Sequence, residues 1–130
     1  MKIIAVDHIT INCFMVKESF DFYENVLELN RVNTIDLGDH VLHLYQLPGS
    51  ILELIEYKDE KKHVHAGNTD VGVYRHFALR VDDIEDVYNR CVQGGYGINL
   101  KPTVIKKLND KVVMLIVDPN GVEIEVIQGA

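Results

Sequence analysis

The sequence predicts an α+β fold made of two β-α-β-β-β modules, and three observations carry that prediction. Short runs with apolar residues at alternate positions dominate the chain, the pattern of half-buried strands. Two longer segments, one in each half, instead carry apolar residues at helical spacing. The halves also repeat one another. A histidine stands near the start of the first strand of each (His8, His76), and a glutamate sits inside the apolar last strand of each (Glu53, Glu125), at nearly the same separation.

Residues 3–12 read as the first strand, with His8, Thr10 and Asn12 on one face and Ile9 and Ile11 on the other. Glu18 to Leu29 reads as a helix, with Phe20, Tyr23, Val26 and Leu27 as its apolar stripe and Glu24 and Glu28 facing away. Strands are expected at Val32–Leu37, at His40–Leu47 and, after the turn signal Pro48-Gly49-Ser50, at Ile51–Tyr57. Lys58 to Gly72 is polar and aperiodic and reads as a linker, in which His63 and His65 are solvated. The second module opens with Tyr74–Val81, where His76, Ala78 and Arg80 oppose Phe77, Leu79 and Val81. Asp82 or Asp83 caps a helix with Ile84, Val87, Tyr88 and Cys91 as its buried stripe and Glu85 and Asp86 favourable in its first turn. Gly94-Gly95 ends it, because a glycine just past a helix takes the left-handed conformation at little cost. Strands Lys101–Leu108, Lys111–Val117 and Val122–Gln128 follow, joined by Asn109-Asp110 and by the strong turn Asp118-Pro119-Asn120-Gly121. The modules thus run over about 3–57 and 73–128 within a single domain of 1–130.

A chain of 130 residues, 47% of them hydrophobic, can bury a real core. The net charge of −7, with no basic stripe, excludes nucleic acid and anionic membrane surfaces as partners. The N-terminus meets charge too soon for a signal peptide, and no apolar run approaches a membrane span. Cys13 and Cys91 lack paired spacing and fit buried thiols in a cytoplasmic protein better than a disulfide framework.

A glutamate inside an apolar strand is seldom fully buried unless it is paired or holds a cation. Glu53 lies between Leu52 and Leu54, and Glu125 between Ile124 and Val126. If the apolar neighbours take the helix-packed face, both glutamates take the opposite one, together with His8 and His76. Two imidazoles and two carboxylates converging there would hold a divalent metal. Nickel or zinc leads, and cobalt, manganese or iron also suits this mixed ligation. Each residue also has a plainer reading. A lone strand histidine is commonly structural, and an alternating glutamate commonly faces water, as Glu56 and Glu123 are read here. His43 alternates with Val41 and Tyr45 and stands as a candidate substrate contact.

Val6-Asp7-His8-Ile9, Phe22-Tyr23 followed by Val26-Leu27, Leu52-Glu53-Leu54, His76-Phe77-Ala78, and Asp118-Pro119-Asn120-Gly121 with Ile124-Glu125 resemble the vicinal oxygen chelate superfamily. Glyoxalase I-like proteins are the nearest pattern within it. The resemblance spans about residues 4–128. It implies paired modules forming a cup around one metal, with His8, Glu53, His76 and Glu125 as ligands, and a homodimer. It also implies a lyase or isomerase that moves a proton beside a carbonyl by way of a metal-bound enediolate. Glu125 is then the base, and Glu53 the second catalytic carboxylate. Where glutathione-dependent members carry an arginine and an asparagine for the glutathione tail, this chain has Asn12 and Tyr57. These two, with His43 and Arg80, are the candidate substrate contacts. The same fold also serves acyl-CoA epimerases, ferrous extradiol dioxygenases and non-catalytic proteins that bind small molecules. A glutamate as fourth ligand argues against a dioxygenase, and a complete ligand set against a mere binder.

Overall fold

The computed structural model describes residues 1–64 and 66–129. His65, read above as a solvated linker histidine, lies outside the described residues. The chain divides into two compact units, Met1–His63 and Val64–Ala130. The first contains β1 (His8–Cys13), α1 (Val16–Asp21) running into a π-helical turn at Phe22–Val26, β2 (Arg31–Asp36), β3 (His40–Leu47) and β4 (Ser50–Tyr57). The second contains β5 (His76–Arg80), α2 (Ile84–Gly94), β6 (Gly97–Ile105), a 3-10 turn at Lys106–Leu108, β7 (Lys111–Val117) and β8 (Glu123–Gln128). Their sheets have the same topology, β1-β4-β3-β2 and β5-β8-β7-β6. In each, the first strand lies parallel to the last and the other neighbours are antiparallel. The α+β class and the repeated β-α-β-β-β plan follow.

Three boundaries differ from expectation. The first strand begins at His8 rather than residue 3. Its partner β4 meets it only from Ile51, opposite His8, because the Pro48-Gly49 turn carries the chain away before that point. Ile3, Ile4 and Val6 are consequently exposed. The first helix starts at Val16, ahead of Glu18, since the backbone N–H and the hydroxyl of Ser19 both donate to the Met15 carbonyl at 2.9 and 2.6 Å. It then widens, as the Leu27 N–H donates to the Phe22 carbonyl at 3.2 Å, an i to i−5 bond. The sixth strand begins at Gly97, not Lys101, and gives way to the 3-10 turn at Lys106. Its pairing with β7 slips between Ile98 and Leu100 and again between Leu100 and Thr103. Those bulges, with Pro102 inside the second, break the period-two pattern from which a strand is read.

In the first unit Phe22, Tyr23, Tyr45, Leu52 and Leu54 are buried. Burial, reinforced by Glu24, raises the Tyr45 phenol far above its usual range, and its hydroxyl donates to Glu24 Oε2 at 2.9 Å. In the second unit Ile84, Val87 and Cys91 of α2 are buried, as are Met114 and Ile116 of β7 and Ile124 and Val126 of β8. Cys13 and Cys91 are buried thiols, and burial pushes Cys91 up to about 11. Asp83 caps α2 by accepting from the Asp86 N–H at 3.1 Å. The helix ends with Tyr96 N–H on the Cys91 carbonyl and Gly95 N–H on Val92, with Gly95 at φ +72°. A Cβ added to Gly95 would meet no atom within 4 Å, so Gly95→Ala isolates the backbone term. It should destabilise the protein by about 1–2 kcal/mol, read as a lower urea midpoint at unchanged slope. An unchanged midpoint would mean that the cap does not depend on the left-handed conformation.

Candidate functional site

The first-to-last parallel pairing sets the position of each histidine against its glutamate. In the first unit His8 lies opposite Ile51 and Thr10 opposite Glu53. In the second His76 lies opposite Glu123 and Ala78 opposite Glu125. Each histidine is therefore one pleat from its glutamate, diagonally across neighbouring strands and on the same face. The residues flanking the glutamates, Leu52, Leu54, Ile124 and Val126, are fully buried on the opposite face.

In the first unit Thr10 Oγ1 donates to Glu53 Oε1 at 3.4 Å. His8 Nδ1 stands 2.8 Å from Asp7 Oδ2. That hydrogen bond raises the histidine above its ordinary value against the opposing effect of desolvation, with the nearby Glu53 charge helping. Asp7 itself is open to water, with 95% of its side chain exposed.

The second unit is built differently. His76 Nδ1 lies 3.1 Å from Glu123 Oε1, and its Nε2 lies 3.5 Å from Glu125 Oε2. Glu123 is only 5% exposed. Its Oε2 accepts from Asn99 at 3.0 Å and from Asn68 at 3.3 Å, and Arg75 Nη2 lies 3.2 Å from Oε1. Burial pushes the Glu123 carboxyl upward, but the Asn99 and His76 hydrogen bonds and the Arg75 charge outweigh it, leaving the group below its usual range. Local sequence explains how these groups arrive. Asn99 is the extra residue of the first bulge in β6, which turns its amide toward β8. In the preceding turn, Asp118 Oδ1 accepts from the Asn120 and Val122 N–H groups at 2.8 Å each, which starts β8 at Glu123. A cavity of about 410 Å³, lined by Asn68, Asn99, Val117, Gly121 and Glu123, opens beside this carboxylate.

The predicted site residues thus sit as two pairs, His8 with Glu53 and His76 with Glu125. Among the described residues no group of three or more His, Cys, Asp or Glu side chains gathers closely enough to hold a metal. The donor chemistry of each pair fits a divalent cation. A carboxylate occupies Nδ1 of both histidines, which leaves Nε2 as the atom that would ligate a metal, the usual arrangement behind a metal-bound imidazole. Asn12 and Tyr57 lie on the His8–Glu53 face, Asn12 opposite Ile55 and Tyr57 opposite His40. Arg80 lies on the His76–Glu125 face, opposite Ile127. His43 is a correction. It pairs with Leu54, on the face opposite Glu53, and packs its ring edge-on to Phe20 at 4.8 Å. Glu56 and Glu123 are corrections too. Glu56 lies on the helix side and meets His43 Nε2 at 3.0 Å, and Glu123 is buried rather than solvent-facing. Glu123 shares a face with Glu125 by simple alternation. What the sequence lacked was the register that sets it opposite His76.

A family profile of the Glyoxalase/Bleomycin resistance protein/Dioxygenase superfamily matches residues 5–126. The chain belongs to this superfamily. No curated protein matches it in sequence. Among solved structures it is similar to the trypanothione-dependent glyoxalase I of Leishmania major, with TM-score 0.76 and 20% identity over 93% of this chain and 84% of that one. It is similar to a glyoxylase/bleomycin resistance protein/dioxygenase domain from Frankia sp. EAN1pec, with TM-score 0.80 and 15% identity over 99% and 94% of the two chains. It also resembles a glyoxalase I variant from Zea mays, with TM-score 0.80 and 19% identity over 97% of this chain and 45% of that one. At these identities the likeness establishes the fold.

The superfamily fold leaves His43 a structural role. Its Nδ1 is the one buried side-chain polar atom without a hydrogen-bond partner among the described residues. An unmet buried polar atom costs about 1–3 kcal/mol. Replacing it with an apolar residue of similar volume removes that cost, and the Glu56 carboxylate that loses its His43 contact is 40% exposed and regains water, so the change should be neutral or favourable. His43→Leu is expected to unfold at the native urea midpoint or above it. A clear drop would show that the imidazole does more than fill space.

Proposed function

We propose that this chain is a metal-dependent isomerase or lyase of glyoxalase I type, acting on a small molecule with a carbonyl beside a transferable proton. The carrying observation is the histidine–glutamate diagonal, repeated in both modules, with a carboxylate on Nδ1 of each histidine. In this reading His8 and Glu53 from one module and His76 and Glu125 from the other are the ligands of a nickel or zinc ion. When bound, the cation would supply Lewis-acid polarisation of substrate oxygens, which acidifies the adjacent C–H bond. Glu125 takes that proton on a carboxylate oxygen and delivers it to the neighbouring carbon. Ile127 and Leu115 lie beside it on the same face. Glu53, the second catalytic carboxylate of this reading, holds the cation with Thr10 steadying one oxygen. The cavity beside Glu123 falls within the size range of small-molecule sites. Asn12 and Tyr57 occupy the glutathione-tail positions, so the acyl or thiol portion of the substrate need not be glutathione.

Membership of the superfamily, exposed Ile3, Ile4 and Val6, and the −7 charge support a homodimer that binds neither nucleic acid nor membrane. No helix among the described residues is long and apolar enough to cross a membrane. Two buried thiols fit the cytoplasm.

Metal analysis of the purified protein, followed by turnover with each metal on 2-oxoaldehyde thiol adducts and acyl-thioester epimers, tests the reading. Glu125→Gln should keep metal and lose activity by at least about a hundredfold. A metal-loaded Glu125→Gln protein with near-normal turnover would move the base to Glu53. Glu53→Gln should weaken metal binding and abolish part of the rise in melting temperature that metal confers on the native protein. Identical melting curves with and without chelator would overturn the metal site itself, and a monomer at micromolar concentration would overturn the dimer.

A further inference from the structure

We infer that Glu123 is the positioning residue of His76, fixing its ring with hydrogen on Nδ1 so that Nε2 is the nitrogen offered to a cation on the Glu125 face. The inference rests on the proposed ligand role of His76 for its functional meaning, but its geometry stands within one unit. Each polar group on Glu123 is a donor or a cation. Asn99 and Asn68 donate to Oε2, and Arg75 and His76 Nδ1 meet Oε1. A carboxylate held in this way has nothing to donate, so His76 Nδ1 must carry hydrogen. Nε2 is then the ring nitrogen turned to the Glu125 face, 3.5 Å from Oε2, where a cation held between the two would take its lone pair. A free imidazole in water prefers the other tautomer, with hydrogen on Nε2, which would turn a donor toward a cation. Glu123 reverses that preference from a buried place.

The other module shows what this chain has added. The register slot of Glu123 beside His76 is filled beside His8 by Ile51. His8 relies instead on its sequence neighbour Asp7, which is exposed and free to turn. Glu123 is held from four sides and reaches across strands. His76 is therefore the preset member of the ligand set, and His8 the adaptable one. Asn99 and Asn68 follow as supports of Glu123, and the β6 bulge as the device that delivers Asn99.

The test uses the full-length protein, metal-free and with zinc as the probe. Long-range ¹⁵N–¹H spectra of the imidazoles read the tautomer of His76 directly. The native protein should show hydrogen on Nδ1, and Glu123→Ala should shift His76 toward hydrogen on Nε2. Zinc affinity by calorimetry should fall by about 10–100-fold in Glu123→Ala, the range found for lost outer-shell partners. Glu123→Gln, which keeps an acceptor oxygen, should recover part of that loss and serves as the reporter if the alanine variant does not fold. A native His76 with hydrogen on Nε2 alone, or a folded Glu123 variant with unchanged tautomer and zinc affinity, would overturn the inference. His76→Ala separates it from the proposed function. Unchanged zinc affinity in that variant would remove His76 from the ligands, while the tautomer result would still decide what Glu123 does.

Discussion

The parallel pairing of first and last strands within each module is the constraint on which the rest depends. Antiparallel neighbours can be joined by a turn, but a parallel pair needs a crossover. Here the crossover carries the helix and two further strands. Its register sets which side chains meet. A slip of one residue would send His8 or His76 to the helix-packed face and leave its glutamate alone. That register is held by the buried partners on the other face, Leu52 and Leu54 in one module and Ile124 and Val126 in the other. The apolar core and the polar face are thus two consequences of one alignment.

The two modules use the alignment unequally. A buried carboxylate is costly unless surrounding donors replace its water. Glu123 meets that condition with two amides, an imidazole and a guanidinium. Those groups come from the segment before β5, from β5 itself and from the β6 bulge, so the site draws on most of its unit. The first module places an isoleucine in the same slot and leaves orientation of His8 to an exposed aspartate. Internal repeats that begin alike can diverge in this way, with one half kept rigid and the other left responsive.

Membership of the superfamily frames this asymmetry. The structures it resembles include glyoxalase I from two organisms, at identities where fold is shared and substrate contacts need not be. Asn12 and Tyr57 stand on the His8–Glu53 face in the first module, and Arg80 on the His76–Glu125 face in the second.

Strand alternation and helical spacing in the sequence were enough to give the α+β class and the two repeated modules. They also placed His8 with Thr10 and Asn12, and Glu53 and Glu125 opposite their apolar neighbours, because side-chain direction in a strand is a local property. The Gly95 cap was legible for the same reason, since it depends on one residue's backbone freedom. Tertiary structure decided the rest. Which strand lies beside which, and in what register, is a contact between distant residues that no local pattern encodes. That is why His43 reads as facing a cleft when it packs on Phe20, and why Glu123 reads as solvated when it is buried against His76. The same holds for β6, whose bulges hide its period while delivering Asn99 to the carboxylate.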